Sequence, residues 1–248
     1  MKQSLWCALQ PIVDTITGRV VAHEALLRGP RNTPWESPQA LFRSAQQLQE
    51  CDLLEFNARR LAIRRQKDLP SSQILFMNVN ASNPDLPLGL EGWSDPLRLA
   101  IEVSEQQPIV NNPALLEQVL KWRKAGHPIV LDDYGAGYMG PGAVLSIRPD
   151  VIKIDRQLIE AIDRDQVRRV LVSAIVQTAR MLGILLIGEG VETFDEFVVL
   201  RKIGVRYMQG YFFAKPSPDP CIDAFKIPDI SPDPITISRH SSAMLPIF

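Results

Sequence analysis

Cysteine and histidine are scarce, with three of each in 248 residues. Cys7, Cys51 and Cys221 are far apart and odd in number, which argues against a disulfide framework or a zinc knuckle and reads as reduced thiols. His23, His127 and His240 show no ligand spacing and read as structural or exposed. No run approaches the roughly 18 consecutive apolar residues of a membrane span. The opening MKQSLWCALQ also lacks the apolar core of a secretion signal, so the chain is expected to be cytoplasmic. Neither sign of charge is in excess. A formal charge of −1 argues against a surface built to wrap duplex nucleic acid, while leaving a small nucleotide open as a ligand.

What is present is ample apolar material, 46% of residues, arranged as short runs between segments of helical period. ALQPIV, VVAHEALL, ILFMNVN, LRLAIEV, PIVLDD, DVIKID, GILLIGE and VRYMQG are strand candidates. Helical spacing is predicted over 38–68, 112–125, 157–182 and 194–203. In the third of these, Leu158, Ile159, Ile162, Val167, Val170, Leu171, Ala174, Ile175 and Thr178 are predicted to face the core, leaving Arg164, Arg168, Arg169 and Gln177 to solvent. Strands that are almost continuously Val, Ile and Leu suggest a mostly parallel sheet covered by helices. Eight of them predict an α/β fold, a (β/α)8 TIM-like barrel. DTITGR is too short for a crossover helix, so the first two strands are expected to pair antiparallel and make the barrel irregular at its start. Residues 1–225 are expected to form one domain, with a brief helix near 219–225. The Pro- and Ser-rich segment 226–248 reads as a flexible tail whose terminal MLPIF is its only part suited to docking.

Polar groups recur at or just past the ends of these runs: Glu24, Asn78, Glu102, Asp132 and Asp133, Lys153 and Asp155, Glu189, Gln209. One acid at a strand end is usually a helix cap or an ion-pair partner. Seven such run ends in the same register point instead to the mouth of a barrel, where active sites of this architecture gather. So many carboxylates would repel one another unless cations neutralise them. An oxygen-rich set without His or Cys favours hard divalent ions, Mg²⁺ or Mn²⁺, with Ca²⁺ as a poor mimic. Adjacent aspartates can serve two ions, an arrangement suited to phosphodiester hydrolysis. Gly135 and Gly137 would let the backbone turn tightly beside them, although DDYGAG alone is as compatible with an ordinary turn.

In order, QPIVD at 10–14, EALLR at 24–28, FMNVN at 76–80, IEVSE at 101–105, DDYGAGY at 132–138, IKID at 152–155, GEGVE at 188–192 and QGYFFAKP at 209–216 resemble the EAL-domain phosphodiesterases, which linearise cyclic di-GMP. The resemblance covers roughly residues 5–220. It implies hydrolysis to linear 5′-pGpG, with two ions per site and Ca²⁺ inhibitory. Glu24, Asn78, Glu102 and Asp132 resemble the ligands of one ion; Asp132, Asp133 and Glu189 resemble those of the second. Asn80 is a rival to Asn78, since both face the same side of a strand. Lys153 and Asp155 resemble the pair that orients water, and Glu189 is also a candidate base. Gln10, Arg28, Gln209 and Glu192 resemble substrate contacts, Arg28 by charge-assisted bonding to phosphate. Glu105 resembles the residue that holds the glycine-rich loop, which implies a homodimer.

Departures are mild. Tyr134 stands where Phe is more usual and Gly188 where Ala is common, and neither removes a ligand. YMGPG differs from the usual Ser-rich loop, which bears on loop geometry and dimerisation. No sensor or cyclase domain is expected ahead of the match, so regulation would come from a protein partner, the tail, or a longer parent chain. The competing reading is an inactive member acting as a cyclic di-GMP receptor or a protein-interaction module. Such members usually lack ligands, and none is missing here. An unrelated barrel metalloenzyme is a third reading.

Overall fold

The structure, a computed structural model, describes residues 5–80, 96–104, 109, 112–137 and 140–228. Eight strands close into a barrel in sequence order: β1 (Trp6–Asp14), β2 (Val20–Arg28), β3 (Ile74–Val79), β4 (Leu99–Ser104), β5 (Ile129–Tyr134), β6 (Val151–Ile154), β7 (Leu185–Gly188) and β8 (Tyr207–Met208). β2 through β8 are parallel, and β1 is antiparallel to both neighbours, as the short DTITGR connection requires. The eight sequence runs thus coincide with the eight strands.

Alternation sets two apolar layers. Ile12, Ala22, Ile74, Phe76, Ala100, Val130, Val151, Ile187 and Tyr207 fill the barrel interior, while their neighbours along each strand, such as Leu75, Ile101, Leu131 and Leu186, pack against the helices. The interior layer fixes the site. Two residues beyond it toward the mouth come Glu24, Asn78, Glu102, Asp132, Lys153, Glu189 and Gln209. On the reversed β1, Gln10 lies two residues before Ile12.

Two of the four segments of helical spacing, 38–68 and 157–182, each divide into shorter helices, while 194–203 is helical throughout. Segment 38–68 is α1 (Pro38–Leu48) and α2 (Cys51–Arg65) followed by a 3-10 turn, because Gln49 closes α1 in the left-handed conformation at φ 58°. The second predicted helix, 112–125, is α3 (Pro113–Lys124), capped by the Asn112 side chain. Pro141–Ile147 forms α4, which the sequence reading missed: it is barely two turns, with Pro at its start. Segment 157–182 divides into α5 (Arg156–Ile159) and α6 (Gln166–Leu182), separated by Ala161 at φ 57° and restarted by Asp165, whose carboxylate caps Val167 and Arg168.

Of the predicted buried face, Ile159 and Ile162 are fully buried, whereas on α6 a different face is covered. α6 buries Val172, Val176 and Ala179, whereas Val167 and Val170 are 67% and 60% exposed. Residues 219–225 hold no helix: the chain there runs irregularly, with Ser217 bridging Leu9 and the Phe225 amide donating to the Gly18 carbonyl. Of the predicted tail, 229–248 lies outside the described residues.

α7 (Phe194–Ile203) begins with a capping box, in which Thr193 accepts from the Glu196 amide and Glu196 accepts from Thr193. The buried Glu196 carboxylate also accepts from the amides of Ala161 (3.0 Å) and Glu192 (2.9 Å), so it ties the turn after α5 to the loop that follows β7. Burial works to raise its pKa, but the three backbone amides and Thr193 outweigh burial and hold it below the ordinary carboxylate value. A depressed carboxylate stabilises the fold above its unfolded pKa, and that contribution disappears as pH falls through the lower folded value. Glu196→Ala is expected to cost about 1–3 kcal/mol at neutral pH. Measured by urea unfolding, the loss should shrink below about pH 4.

Candidate active site

Strand register brings the polar ring together. Glu24 lies beside Phe76, Asn78 beside Glu102, Ser104 beside Asp132 and Lys153 beside Ile187. At its centre is the buried Lys153 ammonium, 3.2 Å from Glu24 Oε2, 2.7 Å from Glu102 Oε1, 3.1 Å from Asp132 Oδ1 and 2.7 Å from Glu189 Oε1. Four carboxylates against one ammonium leave a formal charge of −3. Glu102 Oε1, Asp132 Oδ1 and Lys153 Nζ are all buried, so these close contacts are shielded from solvent.

Burial pushes the Glu102 carboxyl well above the usual range, and Glu24 and Asp132 add to the shift against the opposing Lys153. Glu189 is driven the same way by burial and by Asp132 and Glu24. For Lys153 burial works against the charge, but the pull of Asp132, Glu102, Glu189 and Glu24 overcomes it and raises the pKa. The cluster is thus short of positive charge.

Hard divalent cations fit that shortage. Carboxylate oxygens of Glu24, Glu102 and Asp132 lie within 4.8 Å of one another, as do those of Asp132, Asp133 and Glu189, so Asp132 is common to two possible ion sites. The Asn78 amide nitrogen donates to Glu24 Oε1 (3.1 Å) and Glu102 Oε2 (3.0 Å), which places that side chain, on β3, at the first group. Asp133 occupies the left-handed region at φ 57°, and its Oδ2 accepts from Ser104 Oγ at 2.7 Å. Sequence reading passed over Ser104. Its signal was its position inside IEVSE, two residues after Glu102 and on the same face of β4.

The remaining expected residues lie at varying distance from this ring. Gln209 donates to Gln10 Oε1 (3.0 Å) and Glu24 Oε2 (2.8 Å), and Gln10 donates to the Ala214 carbonyl, so the two glutamines join β1 and β8 to the acids. Arg28 ends β2 and donates to the Leu27 carbonyl. Asp155 caps α5 by accepting from the Gln157 amide at 2.7 Å, so Oδ1 is engaged locally. Glu192 pairs with Arg156 at 2.7 Å. Gly135 has φ 101°, and a Cβ there would sit 2.3 Å from Leu158 Cδ1; Gly137 has φ 103°, and among the described residues nothing lies within 4 Å of a Cβ placed there. Glu105 lies outside the described residues. His23 and His127 are buried beside the Cys221 amide and the Leu99 carbonyl, and burial lowers His23 to about 4, a neutral structural imidazole. Among the described residues, no helix is long and apolar enough to cross a membrane.

The same fold recurs in known proteins. BlrP1 of Klebsiella pneumoniae, solved as a calcium and cyclic di-GMP complex, superposes with a TM-score of 0.79 at 29% identity, over 87% of this chain and 56% of that one. A standalone EAL protein of Vibrio cholerae bound to cyclic di-GMP matches with a TM-score of 0.75 at 26% identity, over 90% and 97% of the two chains. Among curated proteins, the probable cyclic di-GMP phosphodiesterase PdeB of Escherichia coli is 29% identical over 224 residues, 84% of this chain and 42% of its own length. The chain thus spans less than half of that relative. The EAL domain model matches residues 2–216, a stretch that includes every member of the acidic ring. The chain belongs to the EAL domain family.

Proposed function

We propose that the chain is a divalent-metal-dependent phosphodiesterase that hydrolyses cyclic di-GMP to linear 5′-pGpG. The observation that carries this reading is the all-oxygen donor set around Lys153, which offers two candidate ion sites that share Asp132. Glu24, Asn78, Glu102 and Asp132 would hold one ion, and Asp132, Asp133 and Glu189 the other. As a ligand, Asn78 would present its carbonyl oxygen. Two such ions would supply charge neutralisation and an activated water. Similar structures solved with calcium or manganese and cyclic di-GMP support that choice of ion and ligand.

The chain's own groups supply the rest. Lys153 counters negative charge at the centre of the ring, and in this reading it would hold the attacking water together with Asp155, two residues further along. Water adds to phosphorus, the P–O3′ bond breaks, and the departing 3′ oxygen takes up a proton, leaving the phosphate on the 5′ side. Gln10 and Gln209 line one wall, Arg28 offers a guanidinium to phosphate, and Glu192 stands at the rim.

A homodimer belongs to the same proposal. The exposed apolar side chains of Val167, Val170 and Leu171 on α6 are a face that a second copy would cover, and sedimentation should show a dimer that Val170→Asp weakens.

Incubation with cyclic di-GMP and Mg²⁺ or Mn²⁺ should yield 5′-pGpG, with turnover lost in Ca²⁺ or chelator. Nucleotide binding without turnover in either ion would instead favour a receptor.

A further inference from the structure

Away from the ring, α2 carries a buried ion pair that the proposed chemistry does not use. Arg59 is 1% exposed and Glu55 4%, one helical turn apart, with Arg59 Nη2 on Glu55 Oε1. The same Oε1 accepts from the backbone amide of Asn80 at 2.7 Å. Asn80 is the first residue after β3, two positions beyond Asn78, whose amide spans Glu24 and Glu102. Burying two charges costs desolvation that an apolar pair would avoid, so stability alone is a weak reason for the pair to be there.

We infer that Glu55, held by Arg59, is a positioning residue: it anchors the mouth end of β3 through the Asn80 amide and thereby sets where Asn78 stands between Glu24 and Glu102. The ladder gives such an anchor a place to act. Among the described residues, parallel pairing to β4 runs from Leu75 to Val79, while pairing to β2 runs from Ile74 to Met77, so the ladder on the β2 side ends two residues earlier. Glu55 supplies an acceptor just past that point. Its carboxylate is rigid because its partner lies one turn along the same helix and is equally enclosed. This inference rests on the reading of Asn78 as an ion ligand.

Two double variants separate the anchor from the charge. E55Q/R59M keeps an acceptor oxygen for Asn80 without burying a charge; E55L/R59M keeps the volume but removes the acceptor. Each full chain is examined by thermal unfolding, by hydrogen exchange at Asn80, and by calorimetric titration with Mn²⁺ alone. E55L/R59M is expected to melt near wild type, to exchange the Asn80 amide at least about tenfold faster, and to bind Mn²⁺ about tenfold more weakly. E55Q/R59M should stay within about twofold of wild type on both counts. Unchanged Asn80 exchange in E55L/R59M would overturn the anchor, and faster exchange with unchanged Mn²⁺ affinity would overturn its link to the site. A wild-type chain that binds no Mn²⁺ would overturn the ion sites themselves, while the exchange comparison still decides the anchor.

Discussion

Glu24→Ala should lower the rate of 5′-pGpG formation by a factor on the order of 10²–10³ while the fold persists. The size follows from how many groups meet that one carboxylate. Glu24 contacts Lys153, Asn78 and Gln209, and shares the first acidic triad with Glu102 and Asp132. Truncation removes a unit of negative charge that an ion would require and releases Gln209, leaving its amide nitrogen with Gln10. Calorimetry should show weaker Mn²⁺ binding, and circular dichroism an unchanged helix content. A wild-type rate would show that Glu24 holds no ion.

Lys153→Met should be felt in stability as well as in rate. The ammonium is the cation at the centre of four carboxylates, and removing one partner of a buried charge cluster typically costs about 3–5 kcal/mol. Protonation of Glu102 and Glu189, both already pushed upward, sets a ceiling on that loss. Because ions that bind only the folded chain stabilise it by mass action, Mg²⁺ or Mn²⁺ should raise the melting temperature of Lys153→Met more than that of wild type. Scanning calorimetry with and without chelator measures both. An unchanged melting temperature in chelator would mean that the ammonium is not the counter-ion of the ring.

Much of the site was legible because one physical rule generates it. Side chains alternate along a strand, so an apolar residue pointing into the barrel predicts that the residue two further on points into the mouth; Phe76 and Asn78, Val130 and Asp132, and Val151 and Lys153 each obey it. The reversed first strand was equally legible, from the length of a single turn. Helix ends were not. Gln49 and Ala161 take left-handed conformations that their side chains do not announce, and each divides what apolar spacing presents as one helix. The face of α6 was misjudged for a related reason: it carries apolar residues on two sides, and only packing decides which is buried. Contacts such as Ser104 with Asp133, or Glu55 with Asn80, join residues 29 and 25 positions apart and have no local signature.

The antiparallel first strand decides which end of the cylinder the polypeptide enters. In a barrel of eight parallel strands the first strand starts on the floor, opposite the catalytic face. Here Trp6 pairs with Arg28, the last residue of β2, so the chain comes in at the rim and descends past Gln10 to Asp14. Any module joined ahead of Trp6 would therefore be tethered at the end of the barrel that carries the acidic ring, within a few residues of Gln10. A rotation or a pull at that tether would reach the wall of the ring directly.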